Sequence, residues 1–178
     1  MTAQLNEQAS GVYIIAATPF FDDDRIDFES IDSLTDFYLE KGVSGITILG
    51  MMGEAQKLSP EESKAVMDRV IARVDGRVPV VIGVSNRDMD KLVALANLAM
   101  DSGAAGVMVA PYDEQDSDEK IYDYFVAVDK AMGSKIPFIY QDFPLATKAP
   151  ISVDCLMKII SDVPQVVMLK HEDWPGLE

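Results

Sequence analysis

Six short apolar runs, each followed by a longer amphipathic stretch, constrain this chain more than any other feature. The runs cover residues 12–17, 46–49, 78–84, 107–110, 136–140 and 166–169. They are rich in Val and Ile and do not alternate with polar residues. A strand of that kind shows no wet face, which is the pattern of parallel strands covered on both sides.

The stretches between them carry helix signals. Asp27 can cap a helix whose apolar stripe is Phe28, Ile31, Leu34 and Tyr38, with Gly42 at its end. Ser59-Pro60-Glu61-Glu62 reads as a capping box with proline at the first helical position, ahead of Val66, Met67, Val70 and Val74. Asp88 opens a third helix, carrying Leu92, Leu95, Ala96 and Ala99 and stopped by Gly103. Ser117 or Asp118 opens a fourth with Ile121, Tyr124, Phe125 and Val128 on one face, and Ser152 a fifth with Cys155, Leu156, Ile159 and Ile160. Residues 1–10 are polar and patternless and read as a flexible arm; residues 11–178 show no linker and read as one domain. Strands alternating with helices define an α/β fold with a parallel sheet. Periodicity alone leaves two architectures open, a doubly wound open sheet and a (β/α)8 barrel.

Composition narrows the function classes. With 15 basic and 30 acidic side chains, the 178-residue chain carries a net charge of −15, which disfavours nucleic acid and anionic membranes as partners. A hydrophobic content of 48% excludes wholesale disorder. No apolar run approaches the about 18 residues of a membrane span, and the first ten residues lack the basic cluster of a signal peptide. Cys155 is the single cysteine, so no internal disulfide forms, and no Cys/His cluster offers a metal site. A reducing cytoplasm is the expected location.

In parallel α/β folds, ligands bind at the carboxyl ends of the strands. Four segments lie there: Gly50-Met51-Met52-Gly53-Glu54, Pro111-Tyr112-Asp113, Tyr140-Gln141-Asp142 and Lys170-His171-Glu172-Asp173. No glycine fingerprint for a dinucleotide and no P-loop occurs among them. Lys170 follows an apolar run, where an apolar setting would free its amine to attack a ketone and form a Schiff base. The plainer reading pairs it with Glu172 or Asp173. Tyr140 ends the neighbouring strand, either within reach of a ligand on Lys170 or as a packed aromatic. Gly50 and Gly53 let a turn bring backbone N–H groups to a carboxylate, or simply make a tight turn. His171, among charged neighbours, reads as a solvated loop residue, and Glu54 as a scaffold acid. Met51, Met52 and Trp174 either line a pocket or pack; Cys155 falls on an apolar helix stripe and reads as inert core.

Taken in order, these residues are similar to the dihydrodipicolinate synthase/N-acetylneuraminate lyase family of class I aldolases. The resemblance runs through Thr18-Pro19-Phe20, Asp27, Gly42-Val43-Ser44-Gly45, the G-x-x-G-E element at Gly50 to Glu54, and Leu58-Ser59-Pro60-Glu61-Glu62. It continues through Val80-Val81-Ile82-Gly83-Val84, Ala104-Ala105-Gly106, Pro111-Tyr112, Pro137-Phe138-Ile139-Tyr140 and Leu169-Lys170. It implies a (β/α)8 TIM barrel in which Lys170 forms a Schiff base with pyruvate or a 2-oxo acid and Tyr140 shuttles protons. It also implies that Gly50, Met51, Met52, Gly53 and Tyr112 bind substrate. No cofactor is implied, and a homotetramer is. Where the family usually has Thr or Ser, this chain has Met51 and Met52; where a second tyrosine often follows Tyr112, it has Asp113. The segment after Tyr140 lacks the arginine that the synthases use. Methionines relay no proton, so the pattern points away from the synthase reaction proper. It points toward an aldolase-type lyase, a dehydratase of a sugar-derived 2-oxo acid, or a binding relative without catalysis. A (β/α)8 barrel takes about 250 residues, so the expectation is that this sequence supplies the first six strands and the C-terminal strands lie outside it.

Overall fold

The structure, a computed structural model, describes residues 4–175. Residues 1–3 of the expected arm lie outside these; within its remainder, Leu5 is buried. The strands are β1 (Tyr13–Ile15), β2 (Gly45–Ile48), β3 (Val80–Gly83), β4 (Gly106–Val109), β5 (Phe138–Asp142) and β6 (Val166–His171). The helices are α1 (Phe28–Glu40), α2 (Pro60–Val74), α3 (Met89–Asp101), α4 (Asp118–Ala131), α5 (Pro144–Thr147) and α6 (Val153–Asp162). A single 3-10 turn, Ala55–Lys57, precedes α2.

The sheet order is β1-β2-β3-β4-β5-β6, and β1–β2, β2–β3, β4–β5 and β5–β6 pair in parallel. An open doubly wound sheet reverses its strand order at a switch point. Here the order follows the chain without reversal, as in a (β/α)8 barrel. The chain is six strands of that barrel.

Three elements differ from their sequence reading. β1 is only three residues long, with Ala16 N–H donating to Thr47 O at 2.8 Å just past its end. Helix α5 is one turn with Pro144 at its start, too short to show a period. Lys170 and His171 lie inside β6 rather than beyond it.

The chain forms two compact units, the first from residues 8–83 and 98–106, the second chiefly from 84–97 and 107–175. In the first, Ile46, Met67, Val70, Val74, Val81 and Ile82 are buried. Each such side chain stabilises by about 1.5–3 kcal/mol through burial. Helix α1 starts where the Asp27 carboxylate accepts from Ser30 N–H at 3.0 Å. Helix α2 starts in a reciprocal box: Glu62 N–H donates to Ser59 Oγ at 3.1 Å, and Ser59 N–H to Glu62 Oε2 at 2.8 Å. Arg69 forks onto Asp32 at 2.7 and 2.6 Å, and Arg73 pairs with Asp36, clamping α1 to α2. These pairs are solvent-facing, so they set register more than stability.

The second unit packs around Phe125 of α4. Its ring lies 6.1 Å from Phe138 and 4.2 Å from Tyr140, both on β5. Helices α4 and α6 are tied through Asp118, which accepts from the Ser152 N–H at 2.9 Å and from its hydroxyl. Cys155 Sγ points to Asp118 O at 3.2 Å, and burial raises its thiol pKa. The cysteine is part of the packing, as its stripe position suggests.

Candidate active site at the strand ends

Strand pairing decides what faces Lys170. In the β5–β6 register, Tyr140 stands beside Leu169, Gln141 beside Lys170, and Asp142 beside His171. Paired residues on adjacent parallel strands share a face, and successive residues alternate. Gln141 and Lys170 are therefore on one face, while Tyr140, Asp142 and His171 are on the other.

On the first face the Gln141 Nε2–H donates to Glu172 Oε1 at 2.7 Å, and Lys170 Nζ lies 2.9 Å from that same oxygen. The plainer sequence reading of Lys170, an ion pair with Glu172, is present. Gln141 is 3% exposed, so its amide is fixed; Lys170 and Glu172 keep 24% and 31% of their side chains accessible. A buried donor, a partly accessible amine and a partly accessible carboxylate thus meet at one oxygen.

The expected partnership of Tyr140 with Lys170 is not what the structure places there. Tyr140 is wholly buried, with its ring against Phe125 on the helix side of the sheet. Its hydroxyl has no hydrogen-bond partner among the described residues. Burial, with the nearby charges of Asp142, Cys155 and Asp118, pushes its pKa far above the ordinary tyrosine value. The physical reason is a register shift between Phe138 and Ile139, which resets which β5 side chains match the face of Lys170.

His171 is solvent-exposed as read, but it is not a loop residue. It is a strand residue whose Nδ1 lies 2.7 Å from Asp142 Oδ2. Burial holds the Asp142 carboxyl above the usual carboxylate range, against the opposing pull of His171.

After β4, Tyr112 is half-buried, and burial raises its pKa. The Arg87 guanidinium lies 4.6 Å from its ring centroid and pairs with Asp113 at 2.6 Å and with Glu114. Asp113 is thereby held below the usual carboxylate range. Arg87 was not singled out by its sequence position, because the loop after β3 carries no motif.

In the first unit, Gly50, Met51, Met52 and Gly53 form the turn after β2. Gly53 O accepts from the Thr18 hydroxyl at 2.7 Å, and Gly53 is buried where a Cβ would sit 3.1 Å from Leu49 N. Met51 and Met52 are 41% and 62% exposed, so they are surface side chains rather than core. Glu54 pairs with Lys57 and caps nothing. Trp174 is 90% exposed. Among the described residues no group of His, Cys, Asp and Glu is placed to hold a metal, and no helix is long and apolar enough to cross a membrane.

A parallel sheet in barrel order, with a lysine amine, an amide and a carboxylate converging at the carboxyl end of a strand, defines a protein of the (β/α)8-barrel class. The Dihydrodipicolinate synthetase family model matches residues 8–172, and the chain belongs to that family. A 4-hydroxy-tetrahydrodipicolinate synthase of Rhizobium meliloti is 36% identical over 154 residues, 86% of this chain and 52% of the relative. Among solved structures, a dihydrodipicolinate synthase from Rhodopseudomonas palustris superposes with a TM-score of 0.95 at 45% identity, covering 99% of this chain and 58% of that one. A chloride-inhibited dihydrodipicolinate synthase from Acinetobacter baumannii, complexed with pyruvate, has a TM-score of 0.87 at 26% identity, covering 95% of this chain and 58% of that one. The chain spans about half the length of the curated relatives it matches.

Proposed function

We propose that this chain carries the Schiff-base lysine, Lys170, of an aldolase-type lyase acting on pyruvate or a related 2-oxo acid. The observation that supports this most is Lys170 itself. It is a partly accessible amine at the carboxyl end of a barrel strand, held against a carboxylate, in a family with a pyruvate-bound member.

The neutral amine attacks the C2 carbonyl, water leaves, and an iminium forms. When the C4 hydroxyl gives its proton to a base and the C3–C4 bond of the substrate breaks, the bond's electron pair flows into that iminium, giving an enamine and releasing an aldehyde. Protonation at C3 restores the iminium, and water frees pyruvate and the lysine. The electron sink is the protein's own nitrogen. Within the first unit, the turn at Gly50, Met51, Met52 and Gly53 is proposed to offer backbone N–H groups to a carboxylate, as an oxyanion site does. Tyr112 is proposed to contact the substrate. The intact protein on this reading is a cytoplasmic homo-oligomer.

Loss of water from a sugar-derived 2-oxo acid uses the same iminium. The methionines at positions 51 and 52 favour that reaction or a lyase over the synthase reaction, because a thioether relays no proton. The test is Lys170→Arg in the intact protein. Guanidinium stays protonated and cannot attack, so the variant should keep the wild-type circular dichroism and lose all borohydride inactivation in the presence of pyruvate. Unchanged inactivation would refute the assignment.

A further inference from the structure

We infer that Glu172 carries the proton for Schiff-base formation at Lys170, and that Gln141 holds Glu172 in place for it. This rests on Lys170 being the nucleophile. With Tyr140 on the opposite face of the sheet, the titratable group that touches the Lys170 amine among the described residues is Glu172, at 2.9 Å. An amide is neither a general acid nor a general base near neutral pH, so Gln141 is a positioning residue. Its Nε2–H holds the same oxygen of Glu172 at 2.7 Å, and its own burial fixes the amide.

The protons balance. The Lys170 ammonium gives one proton to the Glu172 carboxylate, leaving a neutral amine and a carboxylic acid. The amine attacks C2, and a second proton passes from nitrogen to the developing alkoxide, giving a carbinolamine. Glu172 then returns its proton to the hydroxyl, which leaves as water. The iminium nitrogen keeps the third proton, and Glu172 ends as it began. Glu172 stays where Gln141 holds it, and the carbinolamine hydroxyl, on the carbon bonded to Nζ, comes within reach of the same carboxyl. The Glu172 backbone N–H is anchored to Asp142 O at 2.8 Å.

The experiment measures the rate of borohydride trapping of pyruvate on Lys170 in the intact protein, by intact mass with peptide mapping. Wild type, Glu172→Gln, and Glu172→Ala with and without added formate are compared. Glu172→Gln should slow trapping by about 10²-fold, the lower range for a positioned acid/base, while the final extent of adduct is unchanged. Formate, a small carboxylate that fits the space left in Glu172→Ala, should restore at least part of that rate. A purely structural Glu172 would show no formate rescue. Glu172→Gln trapping at the wild-type rate, or Glu172→Ala indifferent to formate, overturns the role of Glu172 while leaving Lys170 as nucleophile. No adduct on Lys170 in the wild type overturns both.

Discussion

Replacing Tyr140 with Phe separates two accounts of that residue. If Tyr140 moved protons for Lys170, losing its hydroxyl would cost turnover by about 10²–10⁴-fold. The structure instead leaves the hydroxyl fully buried without a partner among the described residues, beneath Phe125. A buried polar group without a hydrogen bond costs about 1–3 kcal/mol. The phenyl ring fills the same volume and keeps the 4.2 Å ring contact with Phe125. Tyr140→Phe should therefore stabilise the protein by about 1 kcal/mol or slightly more. For a chain of this size that raises the midpoint by about 2–4 °C. The assay pairs a thermal melt with the pyruvate trapping rate on the same preparation. The expected outcome is a higher midpoint with trapping within about twofold of wild type. A lower midpoint together with a loss of rate on the order of 10²-fold would show that the hydroxyl is bonded and faces the chemistry, and the register argument would fail.

Other substitutions test the scaffold and its pH response. A Cβ at Gly83 would lie 2.1 Å from Leu49 O, a backbone atom that cannot yield cheaply; Gly83→Ala should cost about 3 kcal/mol, the upper end of overpacking, read as a fall in denaturation midpoint. Ser59→Ala removes the acceptor for the Glu62 N–H and should cost about 1 kcal/mol, measurable by the same melt. The carboxyls of Asp27, Glu62 and Asp118 are all held below their ordinary values by hydrogen bonds, to Ser30, Ser59 and Ser152 respectively. A depressed folded pKa gives stability that is present above the unfolded value and is lost as pH falls through the folded one. Melting midpoints should thus fall as pH drops below the ordinary carboxylate range, and Asp118→Asn should show a shallower fall.

The fold was largely legible in the sequence because its signals are local. The Ser59 box and the caps at Asp27, Ser117 and Ser152 are read within four residues, and all four side chains accept the expected backbone N–H groups. The apolar runs fix the strands because a strand buried on both faces tolerates little else. What faces Lys170 was not legible, since it depends on a register between segments about 30 residues apart. A shift of one residue exchanges every side chain between faces, and the shift between Phe138 and Ile139 has no marker in the sequence. Gln141 consequently stands where Tyr140 was expected. His171 shows a milder form of the limit: it is exposed as its charged neighbours suggest, but its contact with the buried Asp142 carboxylate comes from the pairing. Leu5 is buried although residues 1–10 show no apolar periodicity, because isolated apolar side chains make no pattern.

The central claim is that Lys170 is the covalent nucleophile. Its most direct test is to treat the intact protein with pyruvate and borohydride, digest it, and locate the modified lysine by mass. The account predicts a single stable adduct on Lys170, absent when pyruvate is withheld. An adduct on Lys148 or Lys158, or none with any 2-oxo acid, would contradict it.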